Sequence, residues 1–193
     1  MKTTTIKSVF LMGLALTFLS FEIPTGWFKS GSEPNSYDMG IEKGAGLEGK
    51  NAATIKSVEE KIVGYGTLMQ NFMADKYLGQ RIRFTGFFKT KDVVGKSCFW
   101  LRVGQANSQQ SLAFDNMQNR PITGTTEWKK YEIVVDVPAN ASKISYGALI
   151  KGTGQIWFAN LAFEVVDNSV PVTGKKPDKQ DLNSEPYNLD FNK

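Results

Sequence analysis

The 193-residue sequence contains no histidine and a single cysteine, Cys98. Without histidine, a serine or cysteine nucleophile has no imidazole base, and a zinc site has no imidazole ligand. The lone cysteine has no partner for a disulfide and no second thiolate with which to share a metal ion. Catalysis would therefore depend on carboxylates, lysine, tyrosine or a bound metal, and the composition favours a protein that is not an enzyme.

The sequence also lacks a cluster of charge of one sign. Lys and Arg number 23 against 19 Asp and Glu, which gives a formal net charge of +4. Nucleic-acid-binding proteins need clustered positive charge to replace phosphate counterions. We interpret the short run from Arg81 to Lys91 as the solvated face of a strand, and the sequence predicts no nucleic-acid partner.

Long hydrophobic runs are missing as well. The longest apolar run, residues 8–20, is about a dozen residues long and follows Lys2 and Lys7, as in a secretory signal peptide. A membrane span needs roughly 20 apolar residues. Residues 1–20 are therefore predicted to be a signal peptide, with retention as a membrane anchor as the alternative. The predicted location is exported: periplasmic, cell-surface or secreted, with membrane contact only through an uncleaved N-terminal segment.

Residues 21–166 carry short alternating segments rich in aromatic residues and separated by Gly, Pro, Asn or Asp. In residues 81–89, 98–103 and 130–137 every second residue is apolar, the period of a half-buried strand. No long helical pattern intervenes, although Ser57-Val-Glu-Glu60 predicts one short capped helix. The sequence predicts an all-β domain, an antiparallel β-sandwich of the jelly-roll type. Cys98 lies within one of these strands and is interpreted as a small packed residue.

The chain from residue 167 to residue 193 has a different composition. Residues 170–181 are polar, without an apolar period, and a segment of this kind buries too little surface to offset its ordering entropy. The sequence therefore predicts a polar C-terminal linker or tail over residues 167–193.

Aromatic and amide side chains on strand faces away from the core suggest a ligand-binding surface. An aromatic face accepts the C–H patches of a sugar ring, while Arg, Asn and Gln can hydrogen-bond its hydroxyl groups. Packing in the core or at an edge is the alternative role for each Trp, and Asp115 and Asn116 could instead be turn residues. The candidate ligand-binding residues are Gln70, Trp100, Arg102, Phe114, Asn116 and Trp157.

A series of glycine and aromatic motifs spans most of the predicted domain. The motifs are Gly26-Trp27-Phe28, Tyr37, Gly49-Lys50, Gly66-Thr67-Leu68-Met69-Gln70, Tyr77-Leu78-Gly79-Gln80-Arg81-Ile82-Arg83, Trp100-Leu101-Arg102-Val103, Phe114-Asp115-Asn116-Met117, Trp128-Lys129-Lys130-Tyr131, Gly152-Thr153-Gly154-Gln155-Ile156-Trp157 and Phe163-Glu164. Together they resemble the carbohydrate-binding jelly-roll modules of the galactose-binding-like superfamily. More narrowly, they resemble a poorly characterised bacterial branch found beside transcription regulators and secreted hydrolases.

The resemblance carries two further implications. Related modules commonly place an acidic residue after the final Ile-Trp strand to hold a structural calcium ion, whereas this chain has Asn160 there and Glu22 near the domain start. These are weak metal candidates, because Ca²⁺ takes 6–8 oxygen ligands. The resemblance also implies an opening segment of the form Asn-Leu-Asp-Phe, which residues 188–191 match. We therefore expect a docking strand at 187–191, with a disordered tail as the alternative.

Three functions follow as hypotheses. The first is a non-catalytic extracytoplasmic module that recognises a glycan or another cell-envelope component through one sheet face. The second is a structural or protein-interaction domain with a protein partner. The third is a carboxylate-based glycan hydrolase, for which the candidate acid pairs are Asp38 with Glu42 and Asp92 with Asp115.

Overall fold

The computed structural model describes residues 20–108 and 110–174. Within them, eight antiparallel strands make up the fold, with three single-turn 3₁₀ helices at Pro34–Ser36, Leu47–Gly49 and Asp75–Tyr77. The strands are β1 (Phe28–Gly31), β2 (Tyr37–Glu42), β3 (Ala52–Ser57), β4 (Tyr65–Met73), β5 (Gln80–Gly104), β6 (Ser111–Asp115), β7 (Ile122–Val137) and β8 (Lys143–Val166).

Two layers of strands face each other across the core. The front sheet has the order β1, β4, the first half of β8, the second half of β5, and β6. The back sheet has the order β2, β3, the second half of β8, the first half of β5, and β7. The long strands β5 and β8 therefore run through both layers, and the predicted antiparallel β-sandwich is confirmed.

The sequence shows β5 as two separate alternating segments, but the structure joins them in one strand of 25 residues. Register shifts between Thr85 and Val94 bend β5 as it passes from the back sheet to the front sheet. At the bend Gly95 lies opposite Gly152 of β8, with φ of +111° and +91°. A Cβ atom on either glycine would collide with backbone of the facing strand, so both positions favour glycine.

The core between the layers consists largely of the residues that alternation assigned to it. Residues Ile82, Phe84, Phe88, Phe99, Leu101 and Val103 are all buried. The ring of Phe99 packs edge-to-face against Phe84 at 5.2 Å and against Phe88 at 4.9 Å between centroids. Burial of one such side chain contributes about 1.5–3 kcal/mol. These contacts join the two halves of β5 and therefore the two sheets.

The predicted helix at residues 57–60 is wrong. Ser57 is the last residue of β3, and the chain after it forms bends. The Ser57 Oγ accepts a hydrogen bond from the backbone N–H of Gly154 at 3.0 Å. The hydroxyl that would cap a helix is used instead to hold β8 beside the end of β3.

Residues 167–174 differ from the predicted linker, because they lie against the sandwich. The N–H of Thr173 donates to the carbonyl of Val134 at 3.0 Å, and the N–H of Val134 donates to Thr173 Oγ1 at 2.8 Å. Among the described strands, β7 has only β5 as a neighbour, so this segment covers an edge that would otherwise be open. Residues 167–174 have little apolar surface and are held by hydrogen bonds instead. Amino-acid composition does not reveal such hydrogen bonds.

Two predictions fall outside the described residues: the signal peptide over its residues 1–19, and the docking strand at 187–191. Among the helices of residues 20–108 and 110–174, none has the length and apolar character of a membrane span.

Candidate functional site

A cleft of about 780 Å³ lies on the solvent-facing side of the front sheet. Its lining comes from alternate residues of β1, β4, β5 and β8, together with Ser111 and Phe114 of β6 and Asn116 just after β6. These are the residues that alternation places opposite the core. The cleft is thus built mainly on strands rather than on loops.

Trp100 forms the floor of this cleft. It lies on β5, and its Nε1–H donates to the Oγ1 of Thr67 on β4 at 2.9 Å. The first half of β8 separates these two strands, and Gly147 is the register partner of both Trp100 and Met69. Because Gly147 has no side chain, the indole can lie across β8 to reach β4. Only 9% of Trp100 is exposed. The side chain therefore packs against neighbouring strands and also lines the cleft.

Three aromatic side chains form the rim: Phe28 on β1, Tyr65 on β4 and Phe114 on β6, exposed by 41%, 39% and 44%. They are the only exposed aromatic residues in the described part of the chain. Exposed aromatic side chains gathered in one concave surface are typical of a ligand site.

Polar groups lie between the aromatic residues. Arg102 on β5 is the register partner of Ser145 on β8 and of Phe114 on β6, and Ser145 is in turn the partner of Asn71. Asn71 and Asn116 supply amide groups to the lining. The cations of the lining are Lys96, Arg102, Lys143 and Lys151, and no Asp or Glu of the described residues lines it.

The structure brings together four of the six predicted ligand-binding residues. Trp100, Arg102, Phe114 and Asn116 all line the cleft. Gln70 does not, because it is one residue out of phase with the cleft-lining residues of β4. Its Oε1 accepts a hydrogen bond from the hydroxyl of Tyr146 at 2.5 Å. Its neighbour Asn71 faces the cleft instead.

Trp157 is also outside the cleft. It lies on the back sheet, where its Nε1–H donates to Glu42 Oε2 at 2.7 Å. Gln155 donates to the same carboxylate oxygen at 3.0 Å. Trp157 therefore lies on the central strand of the back sheet, away from the cleft.

Phe28, Tyr65 and the three lysines were missed by the sequence argument. The sequence pattern could have identified the cleft-lining face of β4, because residues 65, 67, 69 and 71 alternate with the core residues. The lysines had no such signal, since Lys96 and Lys151 meet only through the pairing of β5 with β8.

Asp115 behaves as the predicted turn residue. Its Oδ1 accepts the N–H of Met117 at 2.8 Å, and its carboxylate pairs with both terminal nitrogens of Arg120, the shorter contact being 2.6 Å. Thr173 Oγ1 donates to the same carboxylate at 2.6 Å. Asp115 thus fastens the segment after β6 and residues 171–174 to the domain.

Cys98 is packed as predicted, with 1% of its surface exposed. Burial raises the pKa of its thiol to about 12. The thiol is therefore protonated at neutral pH, and a nucleophile or a metal ligand would have to be the thiolate.

The acids named for hydrolysis do not gather in the cleft. Asp38 accepts hydrogen bonds from Ser20 Oγ and the Phe21 N–H, and Asp92 accepts one from Thr125. Asp115 is held by Arg120, and Glu42 by Trp157 and Gln155. Each carboxylate has a structural partner.

The donors named for calcium make an incomplete set. Glu22 and Asn160 are both exposed, and the described residues form no group of three His, Cys, Asp or Glu side chains that could hold a metal ion. Two oxygen donors fall short of the 6–8 that Ca²⁺ takes. Structural calcium stays a prediction of the resemblance.

No known protein-family model matches the chain. A curated relative, the uncharacterized HTH-type transcriptional regulator YbfP of Bacillus subtilis (strain 168), is 46% identical over 167 residues. That match covers 86% of this chain and 56% of the relative, so the chain spans little more than half of the relative's length.

Solved structures share the fold at low sequence identity. The CBM22-1 xylan-binding domain from Paenibacillus barcinonensis superposes with a TM-score of 0.53 at 13% identity, over 75% of this chain and 89% of that domain. The enzymatically active domain of tailspike protein 4 from bacteriophage CBA120 gives 0.56 at 11% identity, over 74% of this chain and 20% of the other. The domain has the β-sandwich fold of carbohydrate-binding modules, which confirms the predicted resemblance.

Proposed function

We propose that this domain is a non-catalytic, extracytoplasmic module that binds a glycan in the cleft of the front sheet. The observation that carries the proposal is the cleft itself, with Trp100 as its floor and the three exposed aromatic residues at its rim. The fold of carbohydrate-binding modules supports the same ligand class. An extracytoplasmic location rests on the apolar segment within residues 1–20.

The chemistry of the lining suits a sugar chain. The faces of Phe28 and Phe114 offer surfaces for the C–H patches of sugar rings. Asn71, Asn116 and Arg102 offer donors and acceptors for hydroxyl groups. Because the cleft is an open sheet face that buries only part of a sugar chain, we expect modest affinity for each glycan.

The same lining supports a non-catalytic role. Glycoside hydrolysis generally needs two carboxyl groups about 5–9.5 Å apart on either side of the bond. Among the described residues, no carboxylate lines the cleft. A bound sugar would therefore meet neither a general acid nor a nucleophile there.

The regulator relative fits a binding role for the shared part. A helix-turn-helix motif needs two helices, whereas residues 20–108 and 110–174 contain only single-turn 3₁₀ helices. The DNA-binding motif that the relative's name implies therefore has no counterpart in these residues. We infer that the shared region supplies ligand recognition in this protein.

Truncation of one rim residue tests the proposal. We expect Phe114→Ala to weaken binding to the preferred glycan about tenfold, since one aromatic–sugar stacking surface is lost. Because Phe114 is 44% exposed, its truncation should change the unfolding free energy by less than about 1 kcal/mol. A glycan array followed by isothermal titration calorimetry measures the effect.

Phe87→Ala is the matched control, because Phe87 lies in the back-sheet half of β5 and does not line the cleft. It should bind the glycan as the wild type does. Equal loss of affinity in both variants, or no binding of the wild type to any glycan, would remove the proposal.

A further inference from the structure

The positive charge of the cleft is the feature that the proposed function leaves unexplained. Two cations lie on β5 and two on β8: Lys96, Arg102, Lys143 and Lys151. No acidic side chain of the described residues shares the lining. A surface lined by charge of one sign raises the local concentration of ligands of the opposite sign.

Two of these lysines face each other directly. Lys96 of β5 is the register partner of Lys151 of β8, and like charges directly opposite on a sheet are destabilising. At the other end of the cleft, Arg102 pairs with Ser145 and Lys143 with Gly104, so Arg102 and Lys143 are diagonal neighbours. The sheet thus holds a pair of cations at each end of the cleft.

The back-sheet half of β5 avoids this arrangement, because its arginines have acidic partners on β7 and β8. There Arg81 of β5 pairs with Asp136, and Arg83 pairs with Glu132 and Glu164. Within the described residues, none of the ion pairs includes Lys96, Lys143 or Lys151. The arginines in the back-sheet half of β5 thus have acidic partners, whereas Lys96, Lys143 and Lys151 have none among the residues that the structure describes.

The donors of the cleft also outnumber its acceptors. A lysine ammonium group and an arginine guanidinium group only donate hydrogen bonds, and the side-chain acceptors available are amides and hydroxyl groups such as those of Asn71 and Ser145. Each hydroxyl group of a neutral sugar both donates and accepts hydrogen bonds, whereas an ionised acidic group such as a carboxylate only accepts them. A ligand rich in acceptors satisfies the cleft better.

We propose that the glycan recognised in this cleft is an acidic polysaccharide, one that carries carboxylate, sulfate or phosphate groups. This inference rests on the proposed function and names the ligand class of the same site. The two cationic ends lie six residues apart along β5, or about 20 Å at 3.3 Å per residue. A chain of several sugar rings spans that distance, with its rings on Trp100 and Phe114 and its acidic groups at the two ends.

Matched pairs of polymers test the charge directly. The full chain is titrated with polygalacturonate and its fully methyl-esterified form, with dextran sulfate and dextran, and with phosphomannan and mannan. We expect at least one acidic polymer to bind about tenfold more tightly than its neutral counterpart. Raising the salt from about 0.05 M to about 0.5 M should reduce that preference, because exposed charges are then screened. The member that binds identifies the acidic group.

The variant K96Q/K151Q removes one cationic pair. It should lose most of the preference for the acidic polymer while its Tm is no lower than that of the wild type, because a like-charge pair is relieved. Lys130→Gln is the control, since Lys130 is an exposed lysine of β7 away from the cleft. It should bind as the wild type does.

The outcomes separate the two proposals. Equal binding of acidic and neutral members, weakened by Phe114→Ala, would overturn the acidic ligand and leave glycan recognition standing. No binding of any polymer would overturn both. Tighter binding of single-stranded DNA than of every glycan would also overturn the acidic-glycan assignment, because the same cations and aromatic rings would then serve a nucleic acid.

Discussion

Trp100→Ala is expected to lower the free energy of unfolding by about 3–5 kcal/mol, the range for truncating a large buried aromatic residue. The same variant should bind the glycan more than about tenfold more weakly even where it is folded, since the floor of the cleft is removed. Both effects arise because the indole is only 9% exposed yet lines the cleft. Denaturant titration and calorimetry at a temperature where the variant is folded measure them separately.

Trp100→Phe distinguishes the two roles of the indole. It keeps an aromatic ring but loses the N–H that Thr67 Oγ1 accepts, at a cost of about 1–2 kcal/mol for the unmade hydrogen bond. The glycan affinity of Trp100→Phe should be close to that of the wild type and well above that of Trp100→Ala. Wild-type stability in Trp100→Ala would show that the indole does not pack as described, and unchanged affinity would show that the cleft floor does not contact the ligand.

The expected loss of stability in Trp100→Ala differs from what the sequence alone predicts. Alternation correctly placed Trp100 on the face of its strand away from the core, and such a residue is expected to bind ligand without contributing to stability. The structure shows why the two contributions are joined. Gly147 leaves space on β8, and Thr67 offers a hydroxyl that also donates to the Ala148 carbonyl at 2.7 Å. Neither neighbour is adjacent to Trp100 in sequence.

The fold could be predicted because its signal is local. Ile82, Phe84 and Phe99 are buried since every second residue of a strand faces the core, and that period is visible in the sequence. The sequence did not predict that residues 80–104 form one continuous strand, because bulges near Asp92 change the phase of the alternation.

The candidate site could be predicted only in part, because it depends on register. Trp100, Arg102 and Phe114 were found from their strand faces, whereas Gln70 was misplaced by a single residue of phase. The cationic pair of Lys96 and Lys151 depends on residues far apart in the chain that pair across two strands. Composition, with a net charge of +4, gave no sign that cations gather on one face.

Amino-acid composition also failed to predict that the segment after β8 packs against the domain. Residues 167–174 have little apolar surface, yet Thr173 pairs with the edge of β7 and with the carboxylate of Asp115. A buried carboxylate can hold a polar segment, because charge-assisted hydrogen bonds are stronger than neutral ones. Such a partner is known only once the strands are in place.

Asp115→Ala is therefore the second variant with a large expected effect, a loss of about 3 kcal/mol in unfolding free energy. The carboxylate is 4% exposed and binds Arg120, the Met117 N–H and Thr173 Oγ1. Without it, Met117 loses the acceptor that supports its left-handed backbone, with φ of +51°. The Tm of a domain of this size should fall by about 10 °C, and differential scanning calorimetry measures it.

Asp136→Ala is the matched control. Asp136 also binds an arginine through two contacts, at 2.7 and 3.0 Å to Arg81, but its side chain is 55% exposed. Water competes for an exposed pair, so this variant should leave the Tm almost unchanged. Equal Tm losses in the two variants would mean that burial does not set the strength of the Asp115 pair.

Hydrogen exchange reports whether Asp115 also closes the edge of the sandwich. The Val134 N–H donates to Thr173 Oγ1, and that hydroxyl depends on Asp115 for its position. In Asp115→Ala the Val134 amide should exchange faster than amides at the centre of β7, whereas in Asp136→Ala it should remain protected. Uniform acceleration along β7 would assign the effect to global stability, and selective acceleration at Val134 would show that one buried carboxylate joins the C-terminal segment to the domain.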